Sequence, residues 1–574
     1  MANVLGINAV FHDPAAALLI DGVTVAATEE ERLNRRKHGK DCVPFSTWEL
    51  PSAAMAWCLE QGNLDPSELD AVVYSYEPRL CTHETLPIDS PRLGKPGYVA
   101  GSTRASYDPW EPLRTMFAER AESFIDSTLP GLPSGVVRHV PHHVAHAASA
   151  YAASGFGDCS VLVLDGRGES TSHLAGRVRD GELEILASQV LPQSVGLLYE
   201  EVTAHLGFRR SSDEFKVMAL ASYGDPTRFQ STFDSFVKAR GGGFRASRID
   251  LDDLVPARRD GEPWTQVHAD LAAAVQKSTE RLLVDLARWL HEQTGDSALT
   301  MAGGVALNCV ANGVLAECGP FRDVWVQPAA GDAGTALGGA MYIAHELGDE
   351  IEPMRTAALG RAWSESETEA ILRRSGLGYS RPADLARTTA ECLATGGVVG
   401  WCYGRSEYGP RALGHRSLFV DPRRPENLQR MNDIKGREEF RPVAPMVLLE
   451  RAHEIFDGVI PSPFMLFVHD VHPEWRDRIS AAVHVDGTAR IQTVDRQVEP
   501  LLAELLDAFC DITGVPVLVN TSFNTAGRPM VDSPTDALEC FGSSPIDLLV
   551  MPPFAVARNT AFLSPREEAL AGHG

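Results

Sequence analysis

Ten cysteines occur, yet no two lie closer than Cys309 and Cys318, nine residues apart, and there is no C-x-x-C. That spacing excludes zinc ribbons and thioredoxin-type redox sites. A chain this long does not need disulfide staples, so reduced thiols in a cytoplasm are expected. No run approaches the roughly 20 apolar residues that span a bilayer. The start, MANVLGINAVFHD, lacks the ordered basic patch, apolar core and cleavage site of a signal peptide, and none is expected. Positive charge is scarce: 52 Lys plus Arg stand against 77 Asp plus Glu, a net charge of −25. Sequence-independent nucleic-acid affinity comes from Lys and Arg neutralising phosphates. Neither a polynucleotide nor an anionic membrane is therefore an expected partner. G-x-x-x-x-G-K-[ST] and G-x-G-x-x-G are both missing, which removes the P-loop and dinucleotide Rossmann readings.

What is present reads as a globular enzyme-sized chain. Its 574 residues are 44% hydrophobic and 22% charged, and the length suggests about three to four domain-sized units. A pattern repeats. VLGINAVFHDPAAALLIDGVTVAATEEER reads as strand, turn at His12-Asp13-Pro14, strand, turn at Asp21-Gly22, strand. SVLVLDGRGESTSHLAGRVRDGELEILASQV repeats it, with turns at Asp165 to Gly168 and at Asp180-Gly181. Asp-Gly between alternating apolar runs is a strong hairpin signal. Two such copies predict either a duplicated α/β unit with a cleft between its halves, as in sugar kinases and actin, or two unrelated meanders. Between them, Glu77 to Ser134 shows no sustained periodicity and reads as a long loop. A helix is expected over Asp270 to Thr294. A boundary is placed within 351–365, separating a domain over 1–350 from a second α/β domain over 366–574.

Three constellations carry chemistry. In RHVPHHVAHAASAYAASGF, Pro141 can open a helix, and His142 and His146 then share one face at i and i+4. Imidazoles with carboxylates suit a first-row divalent ion. Asp165, ending one strand, and Asp332, preceding an Ala/Gly-rich helix, are placed to complete the site; the alternative is a His-rich helix start that is merely packed. Glycine-rich turns at Asp165 to Glu169, Ala302 to Gly304 and Gly331 to Gly339 follow apolar strands or open a helix. Such turns admit phosphates to backbone N–H groups. Finally, Arg405, Arg411, Arg416, Lys435, Arg437, Arg441 and Arg490 stand out in an acidic chain. They read as a phosphate clamp or as surface pairs for the surplus carboxylates. His12 and Asp13, on the first turn, offer a general base, a substrate-orienting group or a plain structural bond.

Taken together, NAVFHDPAAALL, EEERLNRRKHGK, HHVAHAASAY, VLVLDGRGE, FKVMALASYG, GGVALN, GDAGTALGGA, GRSEYGPRALGHRS, REEFRPVAPM, HVDGTARIQTV and NTSFN run in order from residue 8 to 524. This set resembles the NodU/CmcH carbamoyltransferase family, O-carbamoyltransferases of antibiotic and nodulation-factor synthesis. The resemblance implies a duplicated actin/hexokinase-like N-terminal domain, similar to the tRNA threonylcarbamoyl transferase, and a YrdC-like α/β C-terminal domain. It implies that carbamoyl phosphate and ATP, with Mg(2+), give a carbamoyl-adenylate whose carbamoyl group passes to a hydroxyl of a natural-product acceptor. By motif, His142, His146, Asp165 and Asp332 look like metal ligands, with Fe(2+) the usual ion. Lys216, Gly304 and Asn308 fall in nucleotide-binding segments. Arg411, Arg416, Lys435, Arg441, Arg490 and Asn520 look like the carbamoyl-phosphate and ATP cluster. His12, with Asp13 beside it, resembles the histidine near the acceptor hydroxyl. Arg528 stands where an acidic residue is expected. Related domains transfer carbamoyl groups to a protein cysteine or threonylcarbamoylate tRNA. The missing C-x-x-C zinc module argues against the first and the −25 charge against the second.

Overall fold

The structure, a computed structural model, describes residues 2–40, 49–81, 111–246 and 249–558. Strands Asn3–Asn8, Ala15–Ile20 and Val23–Glu29 form an antiparallel meander. Its second turn is made by Asp21 (φ +54°) and Gly22 (φ +77°), the paired left-handed conformations that a tight hairpin of this hand requires. The same device recurs at Asp180 (φ +50°) and Gly181 (φ +81°), in the meander of Cys159–Leu164, Thr171–Arg179 and Glu182–Val190. Each meander's first strand also pairs in parallel. Asn3–Asn8 lies beside Ala71–Tyr74, then Val137–His139; Cys159–Leu164 lies beside Ala298–Ala302, then Asp323–Val326. Strand order is thus the same in both five-stranded sheets, and the duplication read from the sequence is a structural fact.

The helices after the two last strands exchange places. His142–Ser154 follows the first sheet but packs on strands of the second, whereas Ala333–Glu346 follows the second and packs on the first. They also pack on each other, closely enough that a Cβ at Gly338 would strike the Ala145 carbonyl and the Ser149 backbone. This crossing brings the start of both helices to one place between the sheets. The long helix Gln266–Thr294, ended by Gly295 at φ +69°, covers the outer side of the second half.

A third sheet follows in the chain, with seven strands in the order Gln492–Val494, Ala444–Leu448, Val517–Ser522, Arg416–Val420, Val399–Cys402, Leu548–Met551, Phe554–Ala557. Leu548 and Val550 enter one core while Leu549 and Met551 enter the other. That alternation is the strand's period of two, with both faces buried under helices. The connecting segment is pinned to both lobes: Met354 N–H donates to Ala153 O (2.8 Å), and Gly360 N–H to Ser406 O (2.8 Å). Ser364 then caps the helix Glu365–Ser375 in a reciprocal bond with Glu367. Across the lobes, Arg32 donates to Gly409 O (2.8 Å) and Gly409 N–H to Glu29 Oε1 (2.8 Å). Within Glu77 to Ser134, residues 82–110 lie outside the described residues, and the rest is more ordered than a loop, with helices Glu111–Ala118 and Ala121–Thr128. Among the described residues, no helix is long and apolar enough to cross a membrane.

Candidate active site

The crossing helices and two strand ends bring His142, His146, Asp165 and Asp332 together, with one ligand atom of each lying within 4.8 Å of the others. His142 Nε2 stands 3.4 Å from Asp165 Oδ2 and 3.7 Å from Asp332 Oδ1; His146 Nε2 stands 3.8 Å from each carboxylate. Both imidazoles are fully buried. His142 Nδ1 faces Ser75 O at 3.3 Å, which makes Nδ1 the protonated nitrogen and leaves the Nε2 lone pair aimed inward. Gly304 N–H donates to Asp165 Oδ1 (3.0 Å) and sets that carboxylate. Burial opposes charge on Asp165, yet the facing His142 holds it ionised, with a pKa of about 2. The same carboxylates, working against burial, push His142 well above the ordinary range. The Nε2 atoms of His142 and His146 have no hydrogen-bond partner. Orphaned buried nitrogens cost about 1–3 kcal/mol each, and two carboxylates with two imidazoles form the donor set that a divalent ion, taking the place of the His142 proton, satisfies. The residues fit a metal. His143 stands at the edge of this group: its Nδ1 is bonded to Thr171 Oγ1 (2.7 Å), and its Nε2 lies 3.9 Å from Asp165 Oδ2 but is not among the four converging ligand atoms.

Asp165 and Asp332 form part of the wall of a cavity of about 760 Å³ enclosed between the front and rear lobes. His12, Asp13, Lys216, Gly304 and Asn308 line its front side; Arg411, Lys435, Arg437, Arg441, Arg490 and Asn520 line its rear. Beside the cavity, Phe440 of the rear lobe packs among Phe208, Tyr223 and Trp264 of the front, and Phe440 and Tyr223 themselves line it. Arg441 stands 3.5 Å from Glu438; among the described residues Arg411, Lys435, Arg437 and Arg490 have no carboxylate at ion-pair distance. Burial, then Arg437 and Arg441, hold the Lys435 ammonium well below its usual range. Burial and neighbouring arginines bring Arg411 and Arg437 to about 9. A wall of mutually repelling, partly desolvated cations is built to receive a polyanion.

Family models for the carbamoyltransferase N-terminus and C-terminus match residues 3–341 and 390–558. The chain belongs to the carbamoyltransferase family. It is 38% identical to nodulation protein NolNO of Sinorhizobium fredii, over 96% of this chain and 80% of that protein. To nodulation protein NolO of Bradyrhizobium diazoefficiens it is 42% identical, over 74% of this chain and 79% of that one. Among solved structures it is similar to HypF of T. kodakarensis: TM-score 0.32, 15% identity, 61% of this chain and 49% of that chain.

Not every residue singled out from the carbamoyltransferase motifs reaches the cavity. Arg416 is fully buried, and its guanidinium donates to the carbonyls of Asp532, Tyr403, Gly404, His415 and Arg361 at 2.9–3.1 Å. It fastens the loop that carries Arg411, each of its three nitrogens bonded to a carbonyl, and it does not line the cavity, which corrects its placement in a phosphate cluster. Lys216 bridges the lobes, 3.1 Å from Asp213 and 2.7 Å from Glu438. Asn308 caps the helix Cys309–Cys318 and donates to Gln276 Oε1 (2.8 Å). Asn520 donates to Gln492 Oε1 (2.7 Å) and Ala412 O (3.2 Å), again supporting the arginine loop. Lys435 is anchored by Ser522 O (2.5 Å), Ser522 Oγ (2.9 Å) and Asn524 Oδ1 (2.6 Å), so the NTSFN turn acts by orienting the ammonium. On the opposite wall, Asp13 accepts from His12 Nδ1 (2.9 Å) and from His38 Nδ1 (2.9 Å). His38 lies within EEERLNRRKHGK; only the fold shows that it meets Asp13, 25 residues earlier.

Proposed function

We propose that this carbamoyltransferase moves a carbamoyl group from carbamoyl phosphate, through a carbamoyl-adenylate formed with ATP and Mg(2+), to a hydroxyl of a small-molecule natural product. The observation that carries the reading is one inter-lobe cavity whose front wall includes Asp165 and Asp332, with His142 and His146 converging on them from behind, and whose rear wall is cationic. In this reading Arg411, Lys435, Arg441 and Arg490 hold phosphate oxygens of carbamoyl phosphate and ATP, and enclosure keeps water from a hydrolysable mixed anhydride. His142, His146, Asp165 and Asp332 hold Fe(2+) or another first-row divalent ion, which when bound supplies charge for nucleotide oxygens or polarises a carbonyl. His12, with Asp13 at its Nδ1, takes the proton of the acceptor hydroxyl as its oxygen bonds to the carbonyl carbon and AMP departs.

The division into domains over 1–350 and 366–574 belongs to the same reading and is supported by the separate spans of the two family models. The nine described cysteines are free thiols, which supports a reducing cytoplasm as the setting. Incubation with carbamoyl phosphate, ATP and a panel of alcohols, read by mass spectrometry, should add one CONH unit to an acceptor. Undiminished turnover in Arg441→Ala would remove the rear wall from the reaction.

A further inference from the structure

Asp13, Glu31 and His38 also gather in one place, their ligand atoms within 4.8 Å of one another. A second metal does not suit them. Arg32 stands 2.6 Å from Glu31 Oε1 and Lys37 3.2 Å from its Oε2, so the positive charge is already supplied. What remains is a directed chain of hydrogen bonds. Ser212 Oγ lies 2.8 Å from His38 Nε2, His38 Nδ1 lies 2.9 Å from Asp13 Oδ1, and Asp13 Oδ2 lies 2.9 Å from His12 Nδ1. All four residues line the cavity.

An ionised carboxylate only accepts, so both Nδ1 atoms must be the protonated nitrogens, and His38 Nε2 then accepts the Ser212 hydroxyl. The chain has an inner and an outer end: the His38 side chain is 10% exposed, against 26% for His12. Asp13 (φ +49°) and His38 (φ +63°) both sit in left-handed backbone, a conformation that persists where the surroundings over-determine it. The His38 backbone N–H is itself fixed by Glu31 Oε2 (2.8 Å).

We infer that His38, held by Ser212, is a positioning residue that acts through Asp13 to fix the tautomer and orientation of His12. This rests on the reading of His12 as the group that takes the acceptor's proton. In that step the acceptor oxygen bonds to the carbonyl carbon, its proton goes to His12, and the bond from that carbon to the AMP oxygen breaks. A His12 ring free to rotate, or protonated on the wrong nitrogen, cannot receive that proton.

Two measurements test the chain. In His38→Leu, kcat for alcohol carbamoylation should fall about 10–100-fold, as for lost supporting partners elsewhere, with the acceptor KM nearly constant. His38→Asn, whose amide N–H takes the place of Nδ1–H, should recover most of the loss, and Ser212→Ala should show a smaller fall even if His38→Leu folds poorly. Nitrogen-15 histidine NMR should find His12 protonated on Nδ1 in the wild type and in His38→Asn, and on a mixture of nitrogens in His38→Leu. Wild-type kcat in His38→Leu, or an unaltered His12 tautomer there, overturns the inference. An enzyme that carbamoylates no alcohol overturns the functional reading instead, and the NMR arm still decides the positioning chain.

Discussion

Deleting one charge from the rear wall should stabilise the protein when no anion is bound. Arg411 is brought from an ordinary 12.5 to about 9, by burial first and by Arg490 and Arg441 next. At about 1.4 kcal/mol per pKa unit, that gap sets a ceiling of roughly 5 kcal/mol on what Arg411→Met relieves. Two effects reduce it. Water in the cavity screens the repulsion, and the variant loses a 3.3 Å bond from Nη2 to Leu307 O, a loss of about 1 kcal/mol. A net gain of about 1–3 kcal/mol remains, a rise of about 1–3 °C in the unfolding midpoint for a chain of this size. The assay is thermal unfolding in buffer free of phosphate and sulfate, with and without pyrophosphate. Without the anion Arg411→Met should melt above the wild type; with it, the wild type should rise more than the variant. A variant that melts lower in anion-free buffer, beside a wild type indifferent to pyrophosphate, would refute the idea of uncompensated cations.

Arg416→Met should behave oppositely. It strips the guanidinium from five carbonyls, and a loss of about 3–5 kcal/mol is expected in urea unfolding. Pyrophosphate should still stabilise whatever folds, because Arg416 does not line the cavity. Elemental analysis should find a first-row metal in the purified wild type and little in His146→Ala; metal retained at the wild-type level in the variant would disprove the four-ligand site. Glu29 is raised from 4.5 to about 7, burial outweighing Arg32. The folded chain therefore holds a proton that the unfolded chain releases between those values. Stability from this group falls as pH rises from about 4.5 to 7 and is level beyond. Glu29→Gln should match the wild type near pH 5 and exceed it at pH 8 by up to about 3 kcal/mol. A stability difference that stays constant with pH would show that Glu29 is charged throughout.

Local signals proved the more legible ones. The Asp-Gly turns, the capping pair Ser364 and Glu367 and the i,i+4 histidines each encode their conformation within a few residues, and the duplicated sheets and the His142–His146 face follow from them. The partners of long side chains were not legible. Arg416 carries the same guanidinium as Arg411 five residues away, and only the carbonyl cage around it makes it structural. Lys216 reads as a cation near a nucleotide, yet Glu438 claims it from a segment 222 residues later. The Ser212–His38–Asp13 chain joins residues up to 174 positions apart through single bonds, with no periodicity to announce it. Helices Glu111–Ala118 and Ala121–Thr128 escaped because each is only eight residues long and gives period analysis too few turns.

The exchanged helices have a consequence for assembly. Each half of the front lobe supplies the lid for its neighbour's sheet, so neither half alone can bury its apolar face. The histidines travel with one lid, Asp332 immediately precedes the other, and Asp165 ends a strand beneath. The four candidate ligands therefore meet only once the entire lobe has interlocked, and a nascent chain that has not yet produced residue 346 possesses the imidazoles but no nest for them. Under the proposed metal reading, capture of the ion would report on completed folding, because a truncated chain cannot assemble the four groups.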